Sequence, residues 1–199
     1  MISVKVLKLE EAKNIAVLHE IAFDNFFLTS LGTKFLSKFY SSIIKSESGI
    51  ALGAYDEKNE LVGFAIGARK KNGFYKNILK NNLVSLSFGA STSLMKKPKN
   101  IIRIIRSFLT NETSNSEFLN YATLLSICVN PKMKGQKIGK HLLQAFESEI
   151  EDYSDGITLT TDKLNNDYVN NFYISNEYIL TDQFNQGNRE MNFYIKKIK

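Results

Sequence analysis

The chain has one cysteine, two histidines and no long apolar run, and each shortage removes a class of protein. A lone cysteine, Cys128, excludes an internal disulfide and suits a reducing compartment. With only His19 and His141 beside it, the ligand set is too small for a structural zinc site, so no metal is expected. Cys128 lies in an apolar stretch, where a buried, unreactive thiol is the expected state. Nothing approaches the ~18 consecutive apolar residues of a membrane-spanning helix. The opening Met1-Ile-Ser-Val-Lys-Val lacks the apolar core of a signal peptide, and the expected location is cytoplasmic. At 199 residues, 43% hydrophobic and 23% charged, the chain suits one globular domain with a full core and is short for two.

Charge is unevenly spread. The total is +6, yet residues 70–118 hold nine Lys/Arg against two acids, Glu112 and Glu117. That segment is therefore +7, and the rest of the chain, with 17 basic and 18 acidic residues, is −1. The basic segment has three readings: a solvated helix face, attraction to an anionic acceptor, or docking on an anionic membrane surface. Binding to nucleic acid is not expected, since no recognised binding motif accompanies the charge.

Hydrophobic periodicity gives the order of elements. Residues 3–9 alternate as a strand, and residues 10–23 read as a helix carrying His19. Residues 23–30 form an aromatic-rich loop. A second helix spans 32–44, and strands at 49–55 and 61–68 form a hairpin around Asp56-Glu-Lys-Asn-Glu. Within 70–118, two amphipathic helices are expected. One carries Phe74, Tyr75, Ile78 and Leu79; the other follows Pro98 and sets Lys99, Arg103 and Arg106 on one side. Strands at 124–129, 156–161, 178–182 and 190–195 and helices from Ile138 and at 165–175 complete the chain. The succession argues for one α/β domain on a mixed sheet, with a helical insertion at 70–118 between the third and fourth strands.

The stretch from Leu124 to Leu143 carries the chemistry. Leu124 to Val129 reads as a buried strand, which Pro131 stops. A basic loop with Gly135 and Gly139 follows, and then an apolar stripe of Ile138, Leu142, Leu143, Phe146 and Ile150. Strand, glycine turn and helix together aim unpaired N–H groups at an anion, and the helix dipole favours negative charge there. Lys132, Lys134, Lys137 and Lys140 add charge at the same point. The loop fits neither the P-loop nor the Rossmann fingerprint.

This strand, loop and helix, with a later helix bearing Phe172-Tyr173, resembles the GNAT superfamily of acyl-CoA-dependent N-acyltransferases over nearly the whole chain outside 70–118. The resemblance implies a single domain with a mixed, mostly antiparallel sheet flanked by helices. It implies acetyl-CoA as cosubstrate and a small-molecule amine as acceptor. The family's loop reads Gln/Arg, two residues, Gly, one residue, Gly/Ala. Here it is Lys134-Gly135-Gln136-Lys137-Ile138-Gly139, with lysine at the first position and Lys137 in a glycine's place.

By resemblance, backbone groups of 134–139, with Lys140 beside them, hold the pyrophosphate. Ile127, Cys128 and Val129 form the strand segment whose Ile127 and Val129 peptides take the pantetheine arm. The later pattern, Asn, two residues, Ala, two residues, Phe-Tyr, three residues, Gly-Phe, is matched at Asn166 and Phe172-Tyr173. It departs at Val169, Glu177 and Tyr178. Tyr173 would protonate the departing thiolate, and Asn166 would hold the pantetheine arm or order the helix. Asp24 and Asp162 are candidates for the base, although each reads more readily as a capping or solvated acid. The insertion together with residues 26–36 also looks like GNAT proteins encoded with bacterial surface-polysaccharide enzymes, which points to an amino-sugar acceptor. The oligomeric state, monomer or homodimer, stays open.

Overall fold

The computed structural model describes residues 2–24, 26–70, 74, 78 and 116–199. Its strands are β1 (Ser3–Val6), β2 (Gly49–Tyr55), β3 (Leu61–Ala68), β4 (Ala122–Val129), β5 (Gly156–Asp162), β6 (Ile179–Gln186) and β7 (Arg189–Lys197). Its helices are α1 (Ala12–Ala22), the single turn α2 (Phe27–Ser30), α3 (Thr33–Ile44), α4 (Ile138–Ile150) and α5 (Asp167–Ser175). The two helices expected within 70–118 lie outside the described residues apart from Phe74 and Ile78, both buried.

The strands form one open sheet in the order β1-β2-β3-β4-β5-β7-β6. Its described pairs are antiparallel except β4 with β5. The β2–β3 hairpin closes as expected, because Asp56 Oδ1 accepts from the N–H groups of Lys58 and Glu60, each at 2.9 Å. The first strand ends sooner than the alternation suggests: Leu9–Glu11 forms a 3₁₀ turn, and Glu11 reaches back to the Lys8 N–H at 2.7 Å. β6 runs further than expected, since its register with β7 holds as far as the turn at Gly187.

Helices cover both faces. α1 and α3 pack Ile15, Phe35, Leu36 and Tyr40 against Phe64, Ile66 and Cys128. Phe74 and Ile78 join that cluster. α4 buries the whole expected stripe against Leu52, Ala65, Leu124 and Leu159 on the opposite face. Each such side chain contributes ~1.5–3 kcal/mol. Phe146 can lie flat there because Gly67 has no side chain; a Cβ at 67 would stand 2.3 Å from Phe146 Cζ. A third cluster, Phe118, Tyr121, Phe193 and Ile195, sits on the α1/α3 side but apart from it.

Candidate functional site

The site begins where β4 and β5 part. They pair in parallel only at Ala122↔Ile157, Thr123↔Thr158 and Leu124↔Leu159. Ser154 secures that end, its hydroxyl bonding Ala122 N–H at 2.8 Å, Asn120 O at 2.9 Å and Gly156 O at 2.7 Å. Beyond it the strands diverge. A bulge in the β3–β4 register, between Ile66 and Gly67, falls at the same level and leaves Leu125 as the extra residue.

Alternation in an antiparallel ladder decides which peptide groups face the gap. The Asn130 N–H donates to Val62 O at 2.8 Å, so Cys128 and Ser126 also bond toward β3. Ile127 and Val129 therefore turn their N–H and C=O away from β3, into the gap. The Cys128 side chain goes into the α1/α3 core, and burial pushes its thiol far up from the usual range. On the far wall, Lys163 N–H donates to Glu190 O at 2.9 Å, which turns the peptide groups of Thr160 and Asp162 into the same gap.

The glycine loop lies at the open end. Asn130 caps a 3₁₀ turn, Pro131–Met133, by accepting from Lys132 N–H at 3.0 Å. Gly135 has φ +85° and Lys137, the N-cap of α4, has φ +59°. The first intrahelical donor is His141, to Lys137 O at 3.1 Å. The N–H groups of Ile138, Gly139 and Lys140 precede it and have no helical partner. A Cβ on Gly139 would stand 3.6 Å from Phe172 Cζ and 3.8 Å from Val129 Cγ2, so this helix start adjoins both the end of β4 and α5. Lys132, Lys134, Gln136, Lys137 and Lys140 are exposed around it, while the Ile138 side chain is core.

A model of the acetyltransferase (GNAT) family matches residues 15–175. The chain belongs to that family. No curated protein matches its sequence. Solved structures share its fold at low identity. The ribosomal-protein-S18-alanine N-acetyltransferase from Escherichia coli is 14% identical, with TM-score 0.61 over 100% of this chain and 94% of that one. The yncA protein from Salmonella typhimurium, solved with its cofactor acetyl-CoA, is 11% identical, with TM-score 0.60 over 100% and 94%. The PaiA N-acetyltransferase from Thermoplasma acidophilum, in complex with coenzyme A, is 14% identical, with TM-score 0.57 over 99% of each chain.

Within this GNAT frame the two glycine replacements have a common feature. Lys137 stands at φ +59° and Glu177 at φ +69°, so both positions keep the left-handed backbone that glycine tolerates. A side chain there costs ~1–2 kcal/mol. Tyr178, in a phenylalanine's place, uses its extra hydroxyl to bond Glu147 Oε1 at 3.2 Å.

Tyr173 is 5% exposed and packs against Tyr178 and Tyr194, ring centroids 5.6 and 5.9 Å away. Burial, and then its neighbour Tyr194, pushes the phenol well above its usual range. Asn166 Nδ2 donates to Thr161 Oγ1 at 2.8 Å and to Asp162 O at 2.9 Å, so it orders the start of α5. Asp24 is exposed at the end of α1. Asp162 is gripped by a fork from Arg189, Nε to Oδ1 at 2.8 Å and Nη2 to Oδ2 at 2.7 Å.

Sequence reasoning missed Asn170 and Arg189. Asn170 is 8% exposed and bonds Asp162 O, Asn166 O, Asn192 Nδ2 and the Tyr194 hydroxyl. Its spacing of four from Asn166 was a readable signal. Arg189 is 27 residues from Asp162 and gave none.

Proposed function

We propose that this protein transfers an acetyl group from acetyl-CoA to a primary amine of a small, anionic acceptor, such as a nucleotide-linked amino sugar. The observation that carries the reading is the gap between β4 and β5, with the Ile127 and Val129 peptides turned into it and the α4 N-terminus at its mouth. A pantetheine arm is a chain of amides, and it suits a strand edge left without a partner. A diphosphate suits the three helical N–H groups and the lysines around them. The acetyl-CoA and coenzyme A held by the Salmonella and Thermoplasma proteins support the same cosubstrate.

In the proposed reaction a neutral amine attacks the thioester carbonyl directly within a ternary complex. The Val129 N–H, facing the gap, polarises that carbonyl; one such donor supplies ~3–4 kcal/mol. The C–N bond forms, the C–S bond breaks, and the nitrogen loses a proton to water or a nearby carboxylate. Tyr173 gives its phenolic proton to the departing thiolate, and the match of Phe172-Tyr173 to the family's pattern supports this role. The Escherichia coli relative is named for a protein alanine, so shared fold does not set the acceptor. The +7 charge of residues 70–118 supports an anionic one, and the likeness to polysaccharide-linked GNAT proteins supports an amino sugar. The same charge could meet an anionic membrane surface; among the described residues no helix is long and apolar enough to cross one.

Lysine and glutamate in the two motif-glycine positions favour one rival, a GNAT protein that binds acyl-CoA without turning it over. Coenzyme A at ~100 times its dissociation constant should stabilise the fold by ~2.7 kcal/mol. At ~2–4 °C per kcal/mol that is a melting shift of several degrees. No shift at millimolar coenzyme A overturns the cofactor assignment. A screen of amines, amino sugars included, then separates transfer from binding alone.

A further inference from the structure

Asp162 stands at the end of β5, a natural place to seek a base. We infer instead that Asp162 is a positioning residue, the pin that holds β5 away from β4 and keeps the cofactor gap open. The inference rests on the acetyl-CoA reading of that gap.

The Leu125 bulge interrupts β4 where the pairing stops, but beyond it the Ile127 and Val129 peptides face β5 again, and resumed pairing would satisfy groups otherwise left unpaired. Parting the strands requires other partners, and Asp162 has them. Its carbonyl faces the gap, where a β4 N–H would stand if the ladder continued. It accepts instead from Asn166 Nδ2 at 2.9 Å and Asn170 Nδ2 at 3.1 Å. The two α5 asparagines thus take the place of β4.

Asn170 is itself fixed. Its amide makes both donor bonds, and its oxygen accepts from Asn192 Nδ2 and the Tyr194 hydroxyl, each at 2.9 Å, which fills all four positions. Turning it away from Asp162 would strand two buried groups on β7. The side chain of Asp162 is held separately by the Arg189 fork. The Arg189 guanidinium also lies 5.4 Å from the Phe26 ring, so the chain between α1 and α2 is tied to the same pin. One residue is therefore secured through its backbone from α5 and through its carboxylate from β7, and its negative charge is already matched.

The test uses coenzyme A alone, with affinity read by calorimetry on the full chain. Arg189→Met and Asn170→Leu should each weaken coenzyme A at least tenfold, although neither side chain is assigned to the cofactor. Asp162→Asn retains the carbonyl and should fall between these and the wild type. The double variant Arg189→Met with Asp162→Asn should be no worse than Arg189→Met, because both remove one fork. Arg189→Lys keeps the charge but loses the fork, and serves if the bolder variants melt early; it too should bind coenzyme A more weakly. Wild-type affinity in folded Arg189→Lys and Asn170→Leu overturns the pin. So does an Asp162→Asn protein that binds coenzyme A normally and loses only turnover, which is the behaviour of a base. A wild type that does not bind coenzyme A at all removes the cleft reading itself, a separate and recognisable result.

Discussion

The two faces of the sheet are built differently. Under α4 and α5 the core is continuous, from Ile50 and Leu52 through Leu124 and Leu159 to Tyr194, with Ile127 and Val129 at its margin. On the opposite face it is divided among the described residues: one cluster gathers round Phe35, Tyr40 and Phe64, another round Phe118 and Phe193. Between them Thr160 is exposed on a central strand, level with the parting of β4 and β5. A continuous core fixes a helix end and a strand edge firmly, which is what a recurring ligand such as acetyl-CoA requires. The divided face has no such continuous support among the described residues, so a change there disturbs the cofactor side less.

The largest expected effect sits on the continuous face. Tyr173→Phe should cut turnover by roughly 10²–10⁴-fold while the melting shift with coenzyme A persists. Unchanged turnover would leave Tyr173 as packing. Phe146→Ala, in the same core, should cost ~3–5 kcal/mol in denaturant unfolding, since its cavity lies against the sheet at Gly67. A loss below ~1 kcal/mol would show that α4 is not held as tightly as its burial implies.

On the divided face the test is pH. His19 is 3% exposed; its Nδ1 meets the Tyr40 hydroxyl at 2.6 Å and its Nε2 has no hydrogen-bond partner among the described residues. Burial pulls its pKa down to about 4, against 6.5 in the unfolded chain. Between those values the unfolded state binds more protons. Stability is therefore complete above pH ~6.5 and falls as pH drops toward 4, by up to roughly 3 kcal/mol. His19→Phe should flatten that limb in unfolding curves taken across the range; an unaltered slope assigns the acid sensitivity elsewhere. The smallest effects return to the cofactor side. Lys137→Gly and Glu177→Gly should each stabilise by roughly 0.5–1 kcal/mol in thermal unfolding, through relief of φ > 0. Lys137→Gly also tests whether that lysine's charge matters to coenzyme A.

Most of the fold was legible because it rests on local pattern. The α4 stripe, the β2–β3 hairpin and the order of elements follow from periodicity and from turn residues such as Asp56. The turn that starts α4 was legible for the same reason. The conformation of Lys137 was not, because sequence allowed either sign of φ. Asn170 and Arg189 were missed because their meaning lies in partners on β5 and β7, distant in the chain.

The sequence by itself determined which residues are apolar and in what period, hence the helices, the strands and a basic loop able to meet a phosphate. It also placed the excess positive charge within residues 70–118. Only the tertiary structure decided that β4 and β5 pair for three residues and then separate, and which peptide groups face the gap. Periodicity is a property of one segment, whereas a gap between strands is decided by what competes for their hydrogen bonds. Here the competitors are the side-chain amides of Asn166 and Asn170, brought to the Asp162 carbonyl only by folding.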